Sequence, residues 1–238
     1  MRLYVAATGS AANTYVLSGS GGESLILDAG VALKKVAPHV PNLRKIAGVL
    51  LTHEHGDHAR YIGDYILRGH KCYASQGTWN ALSAKGLTCM PLLQFEAGPF
   101  VVMPFETEHD AAEPFGYLIR YKPTGELTLY ATDTYYLRYT FPQVNYWLME
   151  CNYCEDLIDA ETDLVLRNRL KESHMSLRRL KDALKANSLT DAAKIVLLHL
   201  SDSRSDEARM VREISEQTGV DTVAASAGME IELERVPF

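Results

Sequence analysis

The chain carries, at residues 52–59, the stretch Thr52-His53-Glu54-His55-Gly56-Asp57-His58-Ala59, directly after the apolar run Gly48-Val49-Leu50-Leu51. Three of the eight histidines of the chain therefore fall within six positions, together with the carboxylate of Asp57. The apolar run predicts a buried strand, and side chains two apart on an extended backbone project to the same side. We expect His53 and His55 to share one metal ion. Asp57 and His58, which lead into a helix predicted to begin near Ala59, are expected to face a second.

Composition predicts a single domain spanning residues 1–238. The chain is 47% hydrophobic, which can fill a substantial core, and no apolar segment approaches the roughly 18 to 20 residues of a membrane span. The formal charge of -6 argues against a protein that holds a long nucleic-acid backbone on a clustered basic surface. We therefore expect no membrane association and a small ligand in preference to a long nucleic acid.

Two features of the sequence indicate the cellular compartment. The N-terminal residues 1–7 lead directly into strand-like sequence, without the apolar core of a signal peptide. The four cysteines, among them Cys151 and Cys154, form no disulfide framework and suit a reducing compartment. A cytoplasmic location is expected.

Short β-rich runs separated by Gly, Pro and Asn alternate with helical patterns in both halves of the chain, which predicts an α/β fold of two sheets covered by helices. Strands are predicted at residues 3–7, 14–17, 25–27, 49–51, 71–74, 100–103, 115–121, 127–131, 194–198 and 221–224. Helices are predicted at residues 59–67, 77–84, 159–171, 176–186 and 206–218.

Three further polar residues stand at the ends of predicted strands, namely His109, Asp133 and His199. With the H-x-H-x-D-H pattern of residues 53–58, this arrangement resembles the metallo-β-lactamase superfamily, and the resemblance spans nearly the whole chain. It implies the αββα sandwich of that superfamily, two mixed sheets flanked by helices, with two divalent metal ions per chain. Zinc is the expected metal, with manganese or iron as alternatives.

The resemblance also implies a role for each ligand. His53, His55 and His109 would hold one metal, Asp57, His58 and His199 the other, and Asp133 would bridge them. Asp28, which follows an early strand, matches the acidic residue that supports the metal loops without binding the metal.

Two details resemble the phosphodiesterase branch of the superfamily, which includes transfer-RNA 3' processing nucleases, small bacterial and phage nucleases and anti-Pycsar-type cyclic nucleotide phosphodiesterases. Asp133 stands where many true lactamases place cysteine, and Ser173-His174-Met175-Ser176 resembles the additional histidine motif of that branch. The catalytic residues are therefore expected to be Asp57, Asp133 and His174. His174 would protonate the leaving oxygen or donate to a phosphate oxygen.

The sequence is compatible with more than one class of substrate. Tyr135, Tyr136 and Arg138 follow Asp133 and could stack on a base and pair with phosphate, or equally pack in a core or dimer contact. No long insertion supplies an arm for transfer RNA, so a 3',5'-cyclic mononucleotide is the preferred substrate. A DNA or RNA nuclease and an ester or thioester hydrolase are the alternatives, and a homodimer is expected from the resemblance.

Overall fold

The computed structural model describes residues 1–158 and 172–234, which build two seven-stranded mixed β-sheets. The strands of the two sheets are β1 Arg2–Ala7, β2 Thr14–Ser18, β3 Ser24–Leu27, β4 Ile46–Leu50, β5 Cys72–Ala74, β6 Leu87–Thr88, β7 Phe95–Ala97, β8 Phe100–Glu106, β9 Phe115–Tyr121, β10 Leu127–Ala131, β11 Tyr146–Glu150, β12 Lys194–Leu198, β13 Asp221–Ala224 and β14 Glu230–Glu232. The first sheet has the strand order β14-β1-β2-β3-β4-β5-β6, and the second has the order β13-β12-β11-β10-β9-β8-β7. The α-helices are α1 Leu33–Val36, α2 Gly56–Ala59, α3 Ile62–Leu67, α4 Gln76–Leu82, α5 Leu177–Lys185 and α6 Glu207–Thr218, and short 3-10 helices occupy Ala37–His39, Leu43–Lys45 and Glu155–Leu157.

The sheets are buried on both faces, which explains why their strands are apolar rather than alternating. In β2, Tyr15 and Leu17 pack between the two sheets, whereas the intervening Val16 packs on the helix-covered side. The same pattern holds in the second sheet, where Leu148 faces the first sheet and its neighbour Trp147 faces α5 and α6. Three apolar layers result, and the predicted arrangement of helices outside two sheets is confirmed.

Strand direction places the functional residues at one edge. β3, β4, β5 and β6 run parallel in the first sheet, and β10, β11, β12 and β13 run parallel in the second. Since the carboxyl ends of parallel strands meet at one edge of a sheet, the residues that follow them come together there. Residues 52–59 follow β4 in the first sheet, and Asp133 and His199 follow β10 and β12 in the second.

The helix predicted at residues 59–67 is two helices, α2 and α3, and α2 begins earlier than predicted, at Gly56. Asp57 and His58 therefore lie in its first turn, where the amides of His58 and Ala59 both donate to the carbonyl of His55. The break at Tyr61 has a tertiary cause, because its amide donates to the carbonyl of Ala29 in the loop after β3. Sequence periodicity does not reveal this contact.

Two other predictions have different outcomes. The start of α5 is confirmed, since the Ser176 hydroxyl accepts a hydrogen bond from the amide of Arg179 as a helix cap. The helix predicted at residues 159–171 lies outside the described residues. Over the described ranges, no helix combines the length and the hydrophobicity needed to cross a membrane.

Candidate metal centre

His53, His55 and His109 form the first group of potential ligands, and their ring nitrogens lie within 4.8 Å of one another. His55 Nδ1 and His109 Nε2 are 3.1 Å apart. His109 Nδ1 lies 2.9 Å from the carbonyl of Ser173 and donates to it, which leaves Nε2 with its lone pair toward His55. Two ring nitrogens that face each other so closely fit a shared cation.

Asp57, His58, Asp133 and His199 form the second group. Asp133 Oδ2 lies 3.2 Å from His58 Nε2 in this group, and also 3.6 Å from both His53 Nε2 and His109 Nε2 in the first. One carboxylate oxygen thus stands between the two groups. This placement suits the bridging role expected for Asp133.

Asp28 orients two of the imidazoles from a fully buried position. Its Oδ2 accepts from His58 Nδ1 at 2.8 Å, and its Oδ1 accepts from the Thr52 hydroxyl at 2.9 Å. Because that hydroxyl donates to Asp28, it accepts from His53 Nδ1 at 3.0 Å. Both rings therefore carry their proton on Nδ1 and present the Nε2 lone pair to the site, as the supporting role expected for Asp28 requires.

Two buried nitrogens confirm that these side chains fit a metal. His53 Nε2 and His199 Nε2 have no hydrogen-bond partner among the described residues. A buried polar atom without a partner costs about 1 to 3 kcal/mol, which a bound metal ion would remove. Imidazole and carboxylate donors suit zinc, manganese or iron alike, so the chemistry fits a divalent metal without choosing among them.

The charge states of the imidazoles fit the same interpretation. Burial and the neighbouring His58 ring lower the pKa of His53 well below its ordinary value, and burial lowers the pKa of His109. Burial would also lower the pKa of His199, but the Asp133 and Glu150 carboxylates raise it to about 10. Burial would raise the pKa of Asp133, yet His199 and His58 hold it well below its usual range. The buried Asp133 carboxylate thus depends on neighbouring positive charge, which a divalent cation would supply.

Asp28, Asp133 and His199 share a backbone conformation that L-residues rarely adopt, with φ values of 59°, 49° and 54°. Each follows the end of a strand. Such strained residues persist only where the surrounding structure fixes them, and they are concentrated at functional sites. The strain turns each side chain out of the sheet and into the site.

Glu150, at the end of β11, is a site residue that the sequence interpretation did not single out. Its Oε1 accepts from His174 Nδ1 at 2.6 Å and from His199 Nδ1 at 3.2 Å. Its Oε2 accepts from the amides of Thr134 and Met175 at 2.9 and 3.2 Å. Asp133, Glu150, His174 and His199 form a third cluster of potential ligands, but these four donors already occupy Glu150. The cluster therefore acts as an orienting network rather than a third metal site.

His174, predicted as a catalytic residue, lies beside the metal groups. Its ring centroid is 5.5 Å from that of His109 and 5.3 Å from that of His199. Burial opposes its charged form, but the Glu150 carboxylate raises the pKa of His174 above its ordinary value. Its side chain keeps 18% of its surface exposed, so a substrate can reach it.

Asn13 is a second residue that the sequence interpretation missed. It is fully buried, and its Nδ2 lies 2.9 Å from His58 Nε2 and 3.3 Å from Asp57 Oδ2. The backbone amide of Asn13 also donates to the backbone carbonyl of Asp57 at 2.7 Å. An isolated Asn in the loop between β1 and β2 gives no sequence signal for this position.

The predicted substrate-binding residues Tyr135, Tyr136 and Arg138 follow Asp133, and their surroundings differ from one another. Tyr136 is 57% exposed. The guanidinium of Arg179 lies 5.0 Å from the ring centroid of Tyr135, and Arg138 pairs with Glu108, the residue before His109. Their contact with a substrate stays a prediction, and for Arg138 it would require exchange of the Glu108 carboxylate for a phosphate.

Asp28→Asn is expected to weaken metal binding by about 10- to 100-fold, because the carboxylate that orients His58 becomes a neutral amide. Asn tolerates the left-handed backbone at this position, so the change isolates the side-chain chemistry. Metal affinity is measured by competition with a chelator of known affinity. Tyr130→Phe, which removes a single 2.5 Å donor to Asp28, is the matched control and should have a smaller effect. Unchanged metal affinity in Asp28→Asn would show that Asp28 does not orient the metal ligands.

Comparisons with known proteins match this chain to one protein family and to similar bacterial proteins. The family model described as a beta-lactamase superfamily domain matches residues 24–200. The exodeoxyribonuclease WalJ of Streptococcus pneumoniae is 26% identical over 253 residues, which cover 97% of this chain and 91% of that protein. The exodeoxyribonuclease YycJ of Bacillus anthracis is 32% identical over 148 residues, which cover 56% of this chain and 54% of that protein.

A solved structure shows the likeness of the fold. The crystal structure of the metallo-beta-lactamase fold protein YhfI from Bacillus subtilis matches with a TM-score of 0.75 at 20% sequence identity. The match covers 97% of this chain and 98% of that chain. The αββα sandwich predicted from the sequence is therefore confirmed.

Proposed function

Because this chain belongs to the metallo-β-lactamase superfamily and is a metal-dependent hydrolase of that family, we propose that it is an exonuclease that hydrolyses phosphodiester bonds of DNA. One observation carries the phosphodiester part of the proposal. The two ligand groups share Asp133, and His174 stands beside both of them in the orientation that Glu150 fixes.

The ligand set would hold two divalent metals, His53, His55 and His109 binding one and Asp57, His58 and His199 the other, with Asp133 between them. Bound metals supply an activated water at neutral pH and polarise a phosphoryl oxygen. The chain itself supplies the geometry. Asp28, Thr52 and the carbonyl of Ser173 fix the ring orientations, and Asn13 holds the first turn of α2, which carries Asp57.

His174 would act on the leaving group. Its Nδ1 is committed to Glu150, so Nε2 is the nitrogen free to carry a proton toward a substrate. The negative charge of Glu150 favours the imidazolium form, which can protonate the alkoxide that leaves as the bond breaks. Glu150 is a positioning residue in this scheme, because it acts through His174 and His199.

DNA is proposed as the substrate on the strength of the relatives. Two bacterial proteins similar to this chain bear the name exodeoxyribonuclease, and the one from Streptococcus pneumoniae aligns over nearly the full length of both proteins. This finding favours the nuclease alternative over the cyclic mononucleotide that the sequence interpretation preferred. The preference for a cyclic mononucleotide relied on the absence of an inserted arm for transfer RNA and on the net charge, which averages over all faces of the molecule.

Purified, metal-loaded protein should release mononucleotides stepwise from end-labelled linear DNA and leave covalently closed circular DNA intact. A panel of 3',5'-cyclic mononucleotides is assayed beside the DNA under the same conditions. Asp133→Ala serves as the control for contaminating nucleases. Rapid opening of cyclic mononucleotides with little DNA cleavage would reverse the assignment, and inactivity on both would redirect the search to esters and thioesters.

A further inference from the structure

A depression of about 430 Å³ beside the metal centre has a strongly basic lining. Lys34, Lys35 and Arg60 contribute three cations, Tyr61 contributes an aromatic ring, and no acidic residue lines it. All four side chains are exposed. The chain as a whole carries a formal charge of -6, so the charge of this cluster is opposite in sign to the net charge.

No ion pair to Lys34, Lys35 or Arg60 occurs within residues 1–158 and 172–234. Elsewhere on the surface, Arg68 pairs with Asp64, and the partly exposed Arg209 pairs with Asp156. Three unpaired cations around one concave surface fit a ligand with several negative charges.

The depression is joined to the metal centre through backbone that belongs to both. Its lining includes Ala12 and Gly30. Ala12 precedes Asn13, which contacts Asp57 and His58, and a Cβ on Gly30 would lie 1.9 Å from the carbonyl oxygen of Asp57. The depression therefore adjoins the metal centre, and the two share this part of the backbone.

Arg60 and Tyr61 strengthen the connection, because they follow α2, which carries Asp57 and His58. The Nη2 of Arg60 lies 3.9 Å from the position that a Cβ on Gly56 would occupy, next to Asp57 in the chain. The Tyr61 side chain is 38% exposed and offers a flat surface beside the cations. Bases of an unpaired strand stack on such rings while cations follow the phosphates.

We propose that Lys34, Lys35, Arg60 and Tyr61 bind the unpaired DNA strand next to the bond that is cut. Three phosphates pair with the three cations, and one base stacks on Tyr61. This inference rests on the proposed function in that it deepens the choice of substrate. The surface acts on the polymer alone, since a small phosphodiester held at the metals does not extend into it.

The test is the salt dependence of strand binding by metal-loaded protein. The probe is a fluorescein-labelled, single-stranded deoxythymidine oligonucleotide with phosphorothioate linkages, followed by fluorescence anisotropy. Each phosphate neutralised on a single strand contributes about 0.7 to the slope of log affinity against log salt, so the Lys34→Ala, Lys35→Ala, Arg60→Ala triple variant should lose about 2 from that slope. Over the tenfold range from 1 M to 0.1 M salt, this slope difference amounts to an affinity loss of about a hundredfold at the lower concentration.

The matched control removes three other exposed cations, Arg44, Lys71 and Lys85. They precede the parallel strands β4, β5 and β6 and so lie at the edge of the first sheet opposite the metal centre. The net charge changes equally in the two variants, but the control should retain the slope and affinity of the wild type. Tyr61→Ala should weaken binding at least about fivefold without changing the slope, and Tyr61→Phe should restore it.

A small phosphodiester separates this inference from the proposed function. Hydrolysis of thymidine 5'-(p-nitrophenyl phosphate) measures the activity of the metal centre without a strand. The triple variant should turn this compound over within about twofold of the wild type. If the protein binds the strand through Lys34, Lys35 and Arg60 but releases no nucleotide from DNA, the proposed function fails, whereas the assignment of this depression as a strand-binding surface stands. Equal salt slopes in the triple variant and the control variant, or no binding of the strand by the wild type, would overturn the inference.

Discussion

Asp133→Ala is expected to abolish phosphodiester turnover, by at least about a thousandfold, and to lower the metal content of the purified protein. The reason is the position of Oδ2, within 3.6 Å of ring nitrogens from both ligand groups. Removing this oxygen leaves both groups one donor short. Metal is measured by elemental analysis beside the turnover rate.

Asp133→Asn separates two effects of this substitution. The residue has a φ of 49°, which Asn tolerates better than Ala, so backbone strain is nearly unchanged in the Asn variant. If the negative charge between the groups matters, Asn should be about as inactive as Ala. Full metal content and wild-type turnover in either variant would exclude Asp133 as the bridging ligand.

His174→Ala is expected to lower turnover on DNA by about 100- to 10,000-fold, the usual contribution of a general acid, while metal content stays at the wild-type level. Its contact with Glu150 lies outside the two ligand groups assigned to metal. The effect should be much smaller on a p-nitrophenyl phosphodiester, because p-nitrophenolate leaves without being protonated. That dependence on the leaving group distinguishes an acid from a structural residue.

Glu150→Gln provides the comparison for His174. It removes the charge that favours the imidazolium of His174 and also the acceptor for His199 Nδ1, so it should impair both turnover and metal affinity. The two variants therefore differ in metal content if the assigned roles are right. Loss of metal in His174→Ala would place this histidine among the ligands and remove its role as acid.

The sequence predicts the parts of the site that a pattern encodes. Residues 53–58 form a dense cluster directly after an apolar strand. Asp133 and His199 follow strands whose parallel pairing brings their ends to one edge, whereas His109 follows the antiparallel strand β8. Glu150 also stands at the end of a parallel strand, but its contacts with His174 and His199 depend on the folded chain, and Asn13 belongs to no local pattern. Such contacts depend on the register of the sheets, which the sequence does not show directly.

The net charge alone is a poor guide to the substrate of this chain. A net charge of -6 argues against a long polyanion, yet Lys34, Lys35 and Arg60 gather around a depression whose lining includes no acidic residue. Lys34 and Lys35 are 25 or more positions from Arg60 in the chain, so no basic run marks them. Folding, rather than composition, creates the local field.

The ligand groups draw on both sheets, residues 53–58 on the first and His109, Asp133 and His199 on the second. Bound metal would thus act as a cross-link between the two halves of the sandwich, and each half alone would hold an incomplete coordination sphere. Thermodynamic linkage then adds about 1.4 kcal/mol to the free energy of unfolding for each tenfold rise of free metal above its dissociation constant. Chelation should accordingly expose the intersheet layer to proteases, and metal supply would govern the lifetime of the folded chain as well as its activity.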